Sequence, residues 1–167
     1  MLDKLPDEVE PLGLALAGRS FKGDIGLSDM QRLSVALASD SVLAVQAVFE
    51  VDQCRLPVMR LVVTGQVLLV CQRCMDALPH ALDLRPVLAI VADEERADVL
   101  PEGYDPLIAT GKPVRLSELI EDEIMLALPL IAKHLDESVC DVFIRQKEAA
   151  EKVLNPFGVL EQLKRNK

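Results

Sequence analysis

Residues 41–53 read "SVLAVQAVFEVDQ" and residues 56–72 read "LPVMRLVVTGQVLLVCQ". In the first stretch Leu43, Val45, Ala47, Phe49 and Val51 alternate with Ala44, Gln46 and Glu50. A period of two is the signature of a strand with one face buried. The second stretch is longer, rich in valine and interrupted only at Thr64-Gly65, and a glycine inside a strand pattern marks a bulge or bend. Residues 77–92, "ALPHALDLRPVLAIVA", continue as a further strand with Leu78, His80, Leu82 and Leu84 on one face. The links between these segments are short, which favours an antiparallel meander.

The flanking segments complete an α+β reading. Residues 1–18 show little order, 19–25 form a short strand, and Ser28 is placed to cap a short helix carrying Met30 and Leu33. Residues 93–114 are charged and rich in turn formers, and read as an exposed acidic loop. "RLSELIEDEIMLALP" at 115–129 is the clearest helix. Leu116, Leu119, Ile120, Ile124 and Ala127 make its apolar stripe, and Glu118, Glu121 and Asp122 its opposite, solvated side. Pro129 limits it. Asn155 and Pro156 then suit the start of a last short helix in "NPFGVLEQLKRNK", with Phe157, Leu160 and Leu163 on its apolar edge. The expected architecture is an antiparallel meander of at least three long strands packed against one main helix, with short terminal helices. It forms one domain over 19–150, followed by a basic helical tail over 151–167.

Charge and composition narrow the function. The chain of 167 residues carries a net charge of −9, and half its residues are hydrophobic. Residues 91–151 hold 6 basic and 15 acidic groups, whereas 152–167 hold 4 and 1. Broad wrapping of nucleic acid needs clustered Lys and Arg, so the tail is the local exception, with Lys164, Arg165 and Lys167 as candidate phosphate contacts. Scattered arginines around the sheet (Arg60, Arg73 and Arg85) are the remaining candidates. No apolar run approaches the roughly 20 residues of a membrane helix, and no secretory leader is visible. A cytoplasmic protein with reduced cysteines is the expectation.

Cys71 and Cys74 form a C-x-x-C motif in "VCQRC" (70–74), and His134 and Cys140 lie downstream in "LIAKHLDESVC" (130–140). Zinc takes four N/S ligands in a tetrahedron. If the helix folds back on the sheet, these four residues close a Cys₃His site that clips the hairpin to the segment after the helix. The plainer alternative is a group of thiols and an imidazole with no tightly held ion. A redox pair fits poorly, because "MDALPHALDLRP" reads as turn and strand, without the helix N-terminus that activates such thiols. Cys54 has no partner at useful spacing, and His80 reads as a sheet residue. There is no G-x-S-x-G, P-loop or G-x-G-x-x-G, so no enzyme is expected.

Taken in order, "VCQRC" (70–74), "LPEGYDPL" (100–107), "LIEDEIMLALPLIAKH" (119–134) with Cys140, and "NPFGVLEQLKRNK" (155–167) closely resemble the YceD family, the large ribosomal RNA subunit accumulation proteins. The resemblance runs from about residue 19 to the end. It implies a non-enzymatic part in the synthesis, processing or stability of 23S ribosomal RNA. The implied partners are that RNA or its precursor and large-subunit assembly components, reached directly or through proteins. A rival reading of the same residues is a zinc-stabilised protein adaptor with no direct RNA role.

Overall fold

The computed structural model describes residues 4–30, 32–33, 39, 41–142 and 144. In chain order the elements are β1 (Glu8–Val9), α1 (Pro11–Leu16), β2 (Ser20–Gly26), a 3-10 turn (Leu27–Asp29), β3 (Val42–Val51), β4 (Pro57–Val70), β5 (Ala77–Leu84), β6 (Val87–Val91), α2 (Glu94–Ala97), β7 (Asp105–Ile108), β8 (Val114–Arg115) and α3 (Leu116–Ala127). Six strands form the main sheet in the order β2-β3-β4-β6-β7, with β5 also on β4; β1 and β8 pair separately.

Strand β4 organises the sheet. One side pairs with β3 over Pro57–Thr64. The other side pairs with β6 over Val58–Arg60 and with β5 over Val63–Val70. The stretch 77–92 therefore lies along β4 as two strands, divided at Arg85-Pro86. Proline has no N–H to give to a ladder, although its carbonyl still accepts from the Leu61 N–H at 3.1 Å.

The alternation in β3 sets the core. Leu43, Val45, Ala47 and Phe49 are fully buried, and Val51 is exposed beside the turn. They join Met59, Leu61, Val63, Val67 and Leu69 of β4, and Phe49 meets Phe21 edge to face with ring centroids 6.0 Å apart. Gly65 is exposed and has φ 155°, and a Cβ there would lie 2.5 Å from Cδ2 of the buried Leu43. The glycine thus permits close approach rather than ending the strand. Gly65→Ala is expected to cost about 1–3 kcal/mol, because the added methyl would push the Leu43 side chain against the core around it, read from the midpoint of denaturant unfolding.

Several expectations change. The sheet is mixed, not a purely antiparallel meander: β7 runs parallel to β6, with Leu88 opposite Asp105 and Val91 opposite Ile108. A parallel neighbour needs a crossover, and residues 92–104, including α2, supply it. The 93–114 stretch is accordingly more than an exposed loop, since Leu107 and Ala109 are buried. Tyr104 anchors the crossover by donating its Oη to Asp52 at 2.6 Å. Secondly, the N-terminal segment supplies α1, which packs on β3 and β4. Pro11 opens this helix, and Glu10 accepts from the Gly13 N–H at 2.6 Å. Thirdly, Ser28 lies within the 3-10 turn, which Gly26 precedes without a side-chain cap, while Met30 and Leu33 are buried as expected.

Helix α3 buries Leu116, Ile120 and Ile124 in the core. Ala127 is exposed, and Glu121, assigned above to the solvated side, is only 4% exposed. Its carboxylate accepts from the Arg32 N–H at 2.8 Å, the Leu33 N–H at 2.9 Å and the Arg32 guanidinium at 3.0–3.1 Å. Among the described residues, no helix is long and apolar enough to cross a membrane.

Candidate metal centre

The C-x-x-C motif forms the turn between β4 and β5. The Cys71 N–H donates to the Asp76 carbonyl and the Met75 N–H to the Cys71 carbonyl, each at 2.8 Å. Met75 takes a left-handed conformation, φ 59°, which turns the chain back into β5. The segment after α3 is fastened to this turn. The Gln72 N–H donates to the Ala132 carbonyl at 2.8 Å, and the Gln72 side chain reaches the Leu130 carbonyl at 3.3 Å. Arg73 pairs with Glu137 at 3.1 Å and with Asp141 at 3.2 Å. Residues 137–142 are helical and carry Cys140 back to the hairpin.

These contacts bring Cys71, Cys74, His134 and Cys140 together, with one ligand atom from each lying within 4.8 Å of the others. The Cys71 and Cys140 sulfurs are 3.8 Å apart. His134 Nδ1 is 3.6 Å from the Cys74 sulfur and 3.5 Å from that of Cys140. A tetrahedron with Zn–S bonds of roughly 2.3 Å and Zn–N bonds of roughly 2.0–2.1 Å has S···S edges of about 3.8 Å and S···N edges of about 3.6 Å. The three separations match those edges, and all four cysteines are free thiols.

The surroundings suit a cation as well. His134 Nε2 lies 3.2 Å from the Ala77 carbonyl. A carbonyl only accepts, so Nε2 holds the proton and Nδ1 keeps its lone pair toward the thiols, the usual support of a metal-bound imidazole. Burial pushes the Cys71 thiol up. The backbone N–H groups of Cys74, Arg73 and His134, together with the Cys74 thiol, more than reverse this and bring it to about 5. Burial raises Cys140 to about 11, helped by the sulfurs of Cys71 and Cys74. Crowded thiolates repel one another unless a cation sits between them. The described residues thus contain a Cys/His group able to hold a metal ion.

Cys54 is exposed and outside the group. Arg73, a candidate for RNA contact, is held by two carboxylates, and Arg60 and Arg85 pair with Glu50 and Asp83. Lys164, Arg165 and Lys167, with the whole 151–167 tail, lie outside the described residues. Glu121 is the buried ion-pairing residue that periodicity misplaced. Its one signal is its position between Ile120 and Ile124, at the margin of the buried stripe.

Comparison with known proteins gives a consistent result. The profile of the family described as "Large ribosomal RNA subunit accumulation protein YceD" matches residues 59–164. The large ribosomal RNA subunit accumulation protein YceD of Haemophilus influenzae is 33% identical over 171 aligned residues, covering 96% of this chain and 97% of the relative. No solved structure matches. A profile match over most of the chain, and a relative aligned nearly end to end, place this protein in the YceD family of large ribosomal RNA subunit accumulation proteins.

Proposed function

We propose that the protein is a non-enzymatic factor of large ribosomal subunit biogenesis, sustaining the synthesis, processing or stability of 23S ribosomal RNA in the cytoplasm. The observation that carries this reading is the similarity to a large ribosomal RNA subunit accumulation protein along 96% of the chain. The Cys₃His group supports a structural part for one Zn²⁺ ion: four protein ligands complete the tetrahedron, whereas catalytic zinc keeps a position open. Partners are 23S ribosomal RNA or its precursor and large-subunit assembly components. Direct contact would use Lys164, Arg165 and Lys167 of the tail. Arg73 would first have to leave Glu137 and Asp141.

Removing the protein from cells is expected to lower 23S relative to 16S ribosomal RNA and to deplete large subunits in sucrose gradients, with recovery on re-expression. An unchanged ratio would refute the reading. The acidic body favours a second reading, an adaptor acting through proteins alone. Affinity capture with and without ribonuclease separates them: ribonuclease-sensitive association with pre-ribosomal particles supports RNA contact, and ribonuclease-insensitive partners support the adaptor.

A further inference from the structure

We infer that the groove between α3 and β7 docks a basic, amphipathic segment of a partner protein, its aliphatic side chains on the groove's apolar surface and a lysine or arginine beside Glu123. The inference does not depend on zinc. The groove has a volume of about 480 Å³ and is lined by Leu107, Leu119, Met125 and Leu126 together with Asp122 and Glu123. Leu107 is buried, but Met125 and Leu126 are 43% and 81% exposed. Past the helix the chain continues through the exposed Leu130, Ile131 and Leu135. Exposed large apolar side chains that line one groove, as Met125 and Leu126 do, mark interaction surfaces.

Charge selects the occupant. Glu123 is half-buried. Burial, and then the neighbouring Asp105 and Asp122, push its carboxyl above the usual range. Asp122 is matched by Arg32, but no ion pair among the described residues reaches Glu123 or Asp105. An incoming ammonium or guanidinium relieves that crowding, because an opposite charge within a few ångströms favours the carboxylate. An RNA backbone would add negative charge to it. A second copy docking by the same face would set these carboxylates against each other.

The test uses the full chain and a labelled amphipathic peptide of about 16 residues, roughly four helical turns, built from Leu and Lys. Its counterpart carries Glu in place of Lys. The basic peptide is expected to bind at least about tenfold more tightly than the acidic one, about 1.4 kcal/mol. Glu123→Gln and Leu126→Asn should each weaken it by about fivefold or more, as loss of an interfacial contact does. Asp24→Asn removes the same charge from β2, at the opposite edge of the sheet, and should leave affinity unchanged. Unfolding midpoints confirm that each variant is folded. Equal effects of Glu123→Gln and Asp24→Asn would reduce the binding to general charge attraction and overturn the inference. Two other outcomes would also overturn it, by assigning the groove elsewhere. One is tighter peptide binding after deletion of 152–167, which would put the chain's own terminus there. The other is a dimer in sedimentation that Leu126→Asn dissociates.

Discussion

Cys74→Ser is expected to release one zinc ion per chain and to lower the melting temperature by about 8–16 °C. The magnitude follows from linkage. With free zinc about a thousandfold above its dissociation constant, binding to the native state alone adds about 4 kcal/mol. A chain of this length loses roughly 2–4 °C per kcal/mol. Chelation of the wild-type protein should reproduce the variant's melting curve, and Cys54→Ser, outside the cluster, should leave both metal content and melting unchanged. Elemental analysis and calorimetry decide the matter. Protein purified without metal and melting as before would leave the four side chains as packing only.

The second large effect belongs to Glu121. Glu121→Ala strands the amides of Arg32 and Leu33 and removes one of the two carboxylates on the Arg32 guanidinium, leaving Asp122. Each buried donor left unsatisfied costs about 1–3 kcal/mol, so a total of about 2–5 kcal/mol is expected in denaturant unfolding. Burial pushes this carboxyl up, but the Leu33 amide and the guanidinium and amide of Arg32 pull it further down, so its net position is below the usual range. A folded-state value below the unfolded one, near 4.3, means that the carboxylate's contribution is complete above that pH. It disappears as pH falls through the folded value. The stability gap between wild type and Glu121→Gln should therefore be constant at neutral pH and narrow under acid. A gap that persists at the lowest pH, or a Glu121→Ala protein as stable as wild type, would reject this role for the carboxylate.

The long strands were legible because their burial is one-sided and periodic: Leu43, Val45, Ala47 and Phe49 announce a face before any partner is known. That Cys71, Cys74, His134 and Cys140 belong together was legible for a different reason. Thiols and imidazoles are scarce in this chain, and two of them share a C-x-x-C. Strand β7 was hidden because Asp105 and Pro106 are poor strand formers at the sheet's edge, where an unpaired side makes them useful. Helix α1 spans six residues, too few for periodicity to register. Glu121 could not be read from its own helix, since its role depends on amides 88 and 89 residues away in sequence. The ion pairs of Arg73 with Glu137 and Asp141 were concealed in the same way. Sequence spacing reveals what a segment buries, and long-range pairing decides which of its charges remain available.

Strand β4 has ladders on both sides at Val58–Arg60 and again at Val63 and Thr64, whereas the Cys71–Asp76 turn leans on a segment that reaches it only after α3. Amides in the middle of β4 can exchange with solvent only when the sheet as a whole opens. Those of Gln72 and its neighbours are released by a smaller event, the detachment of residues 130–140. Hydrogen exchange is expected to separate a slow-opening sheet from a more readily released 130–140 segment. If the Cys/His group holds an ion, its loss is expected to speed exchange in 130–140 while the sheet stays protected.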